Sequence, residues 1–181
     1  MKKNVILHAF ACIVCFACAI LLCAMQTTLI PRYINDALLV PDLLLCMTVA
    51  LGMLAGPVYG SLFGIFAGML ADATAGFGIF LLPLFYMLCA YGAYVCADIL
   101  PRHKFPVYLA YGTFCALFRS VVAVIYVCLS VDSIQLLGVL RYVSLPLLLG
   151  TVFALPLLYL ASLALTLPKR KIKHQNIDKL T

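Results

Sequence analysis

Cys12, Cys15 and Cys18 form a C-x-x-C-x-x-C run with Cys23 close behind, and the chain carries nine cysteines in all. Thiolates at that spacing hold metal clusters when a loop bends them toward one point. Here they lie in one uninterrupted apolar stretch, and on a helix residues three apart fan out around the axis. A thiolate in hydrocarbon is also costly. Cys46, Cys89, Cys96, Cys115 and Cys128 are scattered through other apolar stretches. Free cysteine packs as a small hydrophobe, so the expectation is packing rather than metal or redox chemistry. His8, His103 and His174 fall at the ends of apolar stretches or outside them and do not converge. There is no G-x-S-x-G elbow, no Glu to serve a metalloprotease and no pair of aspartates deep in apolar stretches. The expectations are therefore no catalytic site, no cofactor and no nucleic-acid partner.

The remaining chemistry is that of charge in apolar surroundings. Arg119 interrupts an otherwise apolar stretch, about 12 residues or about 18 Å from its N-terminal end. A buried arginine costs at least about 2.5–3.5 kcal/mol even on lenient insertion scales, so it should face protein and find a partner. Asp72 is its nearest carboxylate in depth and Asp132 the alternative, with snorkelling of Arg119 toward the outer surface left open. Pro41-Asp42 reads as a helix start, because proline suits the first turn and an aspartate there meets the positive end of the helix dipole. Asp98 and Arg102, four apart, suffice as a local surface pair. Glycines stand at 52, 56, 60, 64 and 68, followed by Asp72 and Gly76. Four residues advance about 400° on a helix, so Gly60, Gly64, Gly68 and Asp72 share one stripe. Such a stripe allows close helix approach where lipid offers no hydrophobic drive. Packing within the chain and an interface with another chain, including a second copy, are both open.

Composition names the solvent in which these groups must sit. Of 181 residues, 66% are hydrophobic and 10% charged, with no Trp. Soluble domains carry about 45–50% apolar and about 25% charged residues, and a globule of this size could not hide so much apolar surface. Lipid is the implied solvent, and disorder or a disulfide-stapled module is excluded. A spanning helix needs about 20 mostly apolar residues. Runs free of charge at 4–31, 73–97 and 142–168 each supply one, and the stretch around Arg119 supplies another. The run 43–71 contains Gly56-Pro57, a strong breaker, so it is either one kinked helix or a hairpin of two short ones.

The positive-inside rule favours the hairpin. Six spans put Lys2, Lys3, Arg102, Lys104 and the tail cations Lys169, Arg170, Lys171, Lys173 and Lys179 on the cytoplasmic side, with only Arg32 and Arg141 outside. The predicted architecture is thus an all-α integral membrane protein with six transmembrane helices at about 5–25, 38–55, 57–73, 77–100, 107–129 and 143–165, and both termini cytoplasmic. One membrane domain covers 1–168, and 169–181 is a basic tail that anchors topology. The first apolar stretch, about 21 residues long, exceeds the usual signal core of about 7–15 and is expected to be retained.

Pro41-Asp42-Leu-Leu-Leu45, then Gly64-x-x-x-Gly68-x-x-x-Asp72-x-x-x-Gly76, then an apolar span with Tyr86, Tyr91 and Gly92, resembles the MreD family of bacterial rod shape-determining membrane proteins. The likeness covers about residues 38–100; Ile65 replaces the usual aromatic after the glycine, and Phe66 follows. The resemblance implies a non-enzymatic subunit of the cell-elongation machinery in the bacterial inner membrane. Its implied partners are an MreC-type protein, the RodA glycosyltransferase and its transpeptidase, and indirectly MreB filaments. It also implies a fold similar to the substrate-binding subunit of energy-coupling-factor vitamin transporters, which makes such a subunit the alternative reading. That alternative calls for a ladder of small residues on the first helix, where only Ala11, Cys15, Ala19 and Cys23 stand, and for a polar outward pocket. The candidate positions, all for helix packing or a partner interface, are Pro41, Asp42, Gly60, Gly64, Gly68, Asp72, Gly76 and Arg119.

Overall fold

The computed structural model describes residues 13–14, 16–29, 41–75, 81–100, 104–130 and 144–177. Gly76, Asp132, Arg32, Arg102, Arg141, His8, His103, Cys12 and Cys15 lie outside the described residues, as do Lys2, Lys3 and Lys179. Within them the chain is helical apart from Pro41, Asp42, Gly56 and Leu100: α1 (Phe16–Thr28), α2 (Leu43–Ala55), α3 (Pro57–Ala75), α4 (Leu81–Ile99), α5 (Lys104–Ser130) and α6 (Leu145–Ile177). Among the described residues, three stretches are long and apolar enough to cross a membrane: Leu81–Ile99, Phe105–Ile125 and Leu145–Leu163.

α1 ends in a π-helical turn, Met25–Leu29, so helical backbone runs past the predicted end at residue 25. The Thr27 hydroxyl donates to the Cys23 carbonyl at 2.9 Å, and that of Thr28 donates to the Ala24 carbonyl at 2.5 Å. These side-chain bonds occupy carbonyls that a terminating helix would leave open. Phe16 stacks on Phe66 of α3, with ring centroids 3.4 Å apart.

The run 43–71 is the hairpin rather than one kinked helix. α2 stops at Ala55, Gly56 takes φ 99°, and α3 begins at Pro57. Positive φ is open to glycine at little cost, and the proline ring presets the first helical turn. The return is tight: a Cβ built on Gly60 would stand 2.5 Å from the Gly52 Cα. Eight residues along one continuous helix would separate those positions by about 12 Å.

α2 is the centre of the molecule. Every residue from Leu44 to Met53 is buried, and α2 packs against α3, α4, α5 and α6. A helix apolar all round has no face to give to water and belongs inside the bundle. The outer helices instead show apolar stripes outward at helical spacing: Leu84, Leu88, Tyr91 and Val95 on α4; Phe114, Leu117, Val121 and Ile125 on α5; Phe153, Leu157 and Leu160 on α6. On α3, Val58, Leu62, Ile65 and Met69 face out while Gly60, Gly64, Gly68 and Asp72 face in. Contiguous apolar surface of this extent suits hydrocarbon, not water. α6 runs on to Ile177 without a break, so the backbone of the basic tail through residue 177 prolongs the last helix.

Candidate functional site

The start of α2 is where four helices meet, and Asp42 is the group around which they meet. Asp42 is 1% exposed. One carboxylate oxygen, Oδ1, accepts from the Leu45 N–H at 3.0 Å, which makes Asp42 the N-cap of α2. Its backbone carbonyl accepts from the Cys46 N–H at 3.2 Å, closing the first helical turn. The other carboxylate oxygen, Oδ2, accepts from the Tyr86 hydroxyl of α4 and faces Arg119 Nε of α5 at 3.5 Å. The backbone N–H of Asp42 donates to Thr151 Oγ1 of α6 at 3.1 Å. Thr151 in turn donates to the Leu147 carbonyl of its own helix.

One turn deeper the pattern repeats with backbone and sulfur. The Tyr108 hydroxyl of α5 donates to the Cys46 carbonyl at 3.1 Å, and the Cys46 thiol donates to the Thr151 carbonyl at 3.5 Å. Tyr108 leans on Tyr159 of α6, ring centroids 4.9 Å apart. A helix terminus leaves several N–H groups without intrahelical partners, and away from water each must find one. Asp42 meets this demand at the buried end of α2 while adding its charge where the helix dipole is positive. Arg119, only 6% exposed, brings the opposite charge. Taking two ions out of water costs several kcal/mol each, which only close pairing and further hydrogen bonds offset. The cluster therefore fixes four helices in one register.

Of the predicted residues, Asp42 and Arg119 sit in this cluster, in roles that differ from those read from the sequence. Sequence reasoning looked to Asp72 for Arg119 and gave Asp42 a capping role alone; Asp42 both caps α2 and pairs with Arg119. Arg119 is buried, so it does not snorkel to the surface. Pro41 sits just outside the helix, one residue before the cap, rather than in the first turn. Asp72 is buried on α3 at 6% exposure.

Gly52, Gly60, Gly64 and Gly68 of the ladder are used for close packing inside the molecule. A Cβ on Gly64 would stand 2.8 Å from the Tyr86 carbonyl oxygen, and one on Gly68 would overlap the Pro83 backbone. Gly52 meets Ala90 of α4 in the same way. The stripe thus seats α3 and α2 on α4. Tyr86 appeared in the sequence only as part of an apolar span, and Thr151 and Tyr108 were not singled out. Each places a hydroxyl deep in an apolar helix, which is costly without a partner, and that is the signal that marks them.

Among the described residues, no three His, Cys, Asp or Glu side chains converge on a point that would hold a metal ion. An open cleft of about 250 Å³ between α4 and α5 is lined by Leu81, Leu82, Leu84, Phe85, Leu88, Phe118 and Val122, all apolar. No protein-family model, no curated protein and no solved structure matches the chain.

Proposed function

We propose that this chain is a six-span, non-enzymatic scaffold of the bacterial inner membrane, MreD-like, with both termini cytoplasmic. It holds an MreC-type partner and thereby positions the RodA glycosyltransferase and its transpeptidase for lateral wall synthesis. The observation that carries the reading is that the three motif pieces meet at one residue, Tyr86. Asp42 of the Pro41-Asp42 start accepts from Tyr86, and Gly64 of the glycine–aspartate helix lies against the Tyr86 backbone. Residues that resemble a family motif in three separate stretches are thus one packed unit of α2, α3 and α4.

That arrangement suits a scaffold. Binding partners in lipid rests on packing of helix faces, not on hydrophobic drive. Polar groups turned inward leave α4, α5 and α6 with apolar outer stripes available to another chain's helices. A bundle tied at its centre presents those stripes in fixed relative positions, and a rigid surface loses less entropy on association.

Depletion of the protein in its own rod-shaped host tests the reading. The expected result is rounding of the cells, reversed by the wild-type chain, with vitamin uptake unchanged. Normal rods with loss of uptake of one vitamin would overturn it in favour of a transporter subunit.

A further inference from the structure

α6 carries no acidic residue from Leu145 to Ile177, and its charge-free part gives way at Lys169, Arg170, Lys171 and Lys173. The apolar part, Leu145 to Leu167, rises about 34 Å, close to the hydrocarbon thickness of about 30 Å. Centred in the bilayer, it puts Lys169, Arg170 and Lys171 about 20–23 Å from the midplane, at the outer edge of a head-group layer that ends about 20–22 Å out. Lys171 stands about five turns after Phe153, on the stripe where Phe153, Leu157 and Leu160 are 68%, 70% and 62% exposed.

Among the described residues, no carboxylate stands at the level of these cations. Asp42 and Asp72 are buried in the bundle, and the tail's Asp178 lies outside the described residues. Gly92 meets the Tyr111 hydroxyl and Phe85 stacks on Phe118, so α4 and α5 run antiparallel and Asp98 is level with Phe105. Phe105 packs edge-on against Tyr159 of α6, ring centroids 5.2 Å apart. Asp98 is therefore about 15 Å from Lys169 along the axis, beyond ion-pair reach. Within α6, Lys169 and Lys173 are four apart and Arg170 and Lys173 three apart, spacings at which like charges repel. Anions from outside the chain offset that repulsion, and the head-group layer is where they stand.

We propose that the collar of Lys169, Arg170, Lys171 and Lys173 holds anionic phospholipid head groups of the cytoplasmic leaflet, with the acyl chains laid along the outer stripe of α6. One leaflet with its head groups is about 20–22 Å deep. Leu160 and Leu157 lie about 17 and about 21 Å from Lys171 along the helix, so a lipid seated at Lys171 reaches both. Charge complementarity selects the lipid class. A Lys or Arg near an anionic surface gains about fivefold in binding, whereas a zwitterionic head group offers no net charge. The choice of the cytoplasmic leaflet rests on the proposed topology; the collar itself does not.

The chain has no Trp, so a single added one reports its own surroundings. The full-length Leu160→Trp protein is reconstituted into vesicles of phosphatidylcholine and phosphatidylglycerol in equal parts, with bromine on the acyl chains of one lipid or the other. The expected result is quenching by brominated phosphatidylglycerol with about fivefold higher apparent affinity, a preference that added salt weakens. Lys169→Gln, Arg170→Gln, Lys171→Gln and Lys173→Gln together should bring the two lipids to equal affinity while the thermal melt stays that of the parent. A Phe114→Trp probe on α5, at a position 63% exposed, should show no preference. Equal quenching by the two lipids in the parent would overturn the proposal and leave the collar to an acidic protein. So would a preference that survives the four substitutions, or one equally strong with the Phe114→Trp probe. Both leaflets of the vesicles have the same composition, so the outcome is independent of the chain's orientation and separate from the depletion experiment.

Discussion

Removing one partner of the Asp42–Arg119 pair exposes how much the centre of the bundle depends on it. At 3.5 Å and an effective dielectric of about 20, the attraction is about 5 kcal/mol. Truncating one member of a buried pair leaves an uncompensated charge and costs about 3–5 kcal/mol. Arg119→Met keeps the length and apolar stem while leaving the carboxylate with only its hydrogen bonds, so the full range applies. Asp42→Asn retains an N-cap, since asparagine caps about as well as aspartate, and it isolates the loss of charge. The double variant removes both charges of the pair. Replacing a buried pair by neutral groups is often neutral or stabilising, so the double variant should recover most of the loss, giving a coupling of about 2–4 kcal/mol. Exchanging the charges outright should rescue less, because arginine at 42 cannot cap α2. The assay is reversible denaturation of the purified protein in mixed micelles, followed by circular dichroism. Single variants within about 0.5 kcal/mol of wild type, the usual scale for surface changes, or strictly additive losses, would refute the pairing argument.

Other consequences follow from the same geometry. Gly68→Ala drives a methyl into the Pro83 backbone and should cost about 1–3 kcal/mol. Gly112→Ala meets only the flexible tip of Leu155 and should cost clearly less, a ranking that melting temperatures in detergent check. Thr151→Val keeps the shape but leaves the buried Asp42 N–H unsatisfied, for a loss of about 1–3 kcal/mol in the same denaturation assay. Tyr86→Phe removes a hydrogen bond to a charged group and should cost about 1.5–3 kcal/mol, shrinking when combined with Asp42→Asn because the two share one bond.

What the sequence made legible was mostly local. The breaker pair Gly56-Pro57 left a kinked helix or a hairpin open, the placing of the charges favoured the hairpin, and the spacing of Gly60, Gly64 and Gly68 marked a close-packing face; hairpin and face are both present. Turn chemistry and helical spacing act over a few residues and need no knowledge of neighbours. Asp42 was overlooked as a partner for Arg119 because depth was counted along each span from an assumed boundary. Position 42 was placed near the end of a span beginning at 38, which made it a terminal cap. α2 instead begins at Leu43 with its cap already enclosed by α4, α5 and α6, so a terminal charge is also a central one. Backbone that stops being helical away from water is tolerated only where protein surrounds it, and lateral enclosure has no signature in a one-dimensional count. Thr151 lies 109 positions from Asp42, and nothing in either neighbourhood announces that contact.

The claim that this bundle is a scaffold is tested most directly by what it holds. The tagged protein, extracted from its own host in mild detergent, should bring down an MreC-type protein together with RodA. An Arg119→Met form that loosens the four-helix junction should recover less of both at equal bait. Recovery of an ATP-driven transport module or a tightly held vitamin, with no wall-synthesis protein, would contradict the account.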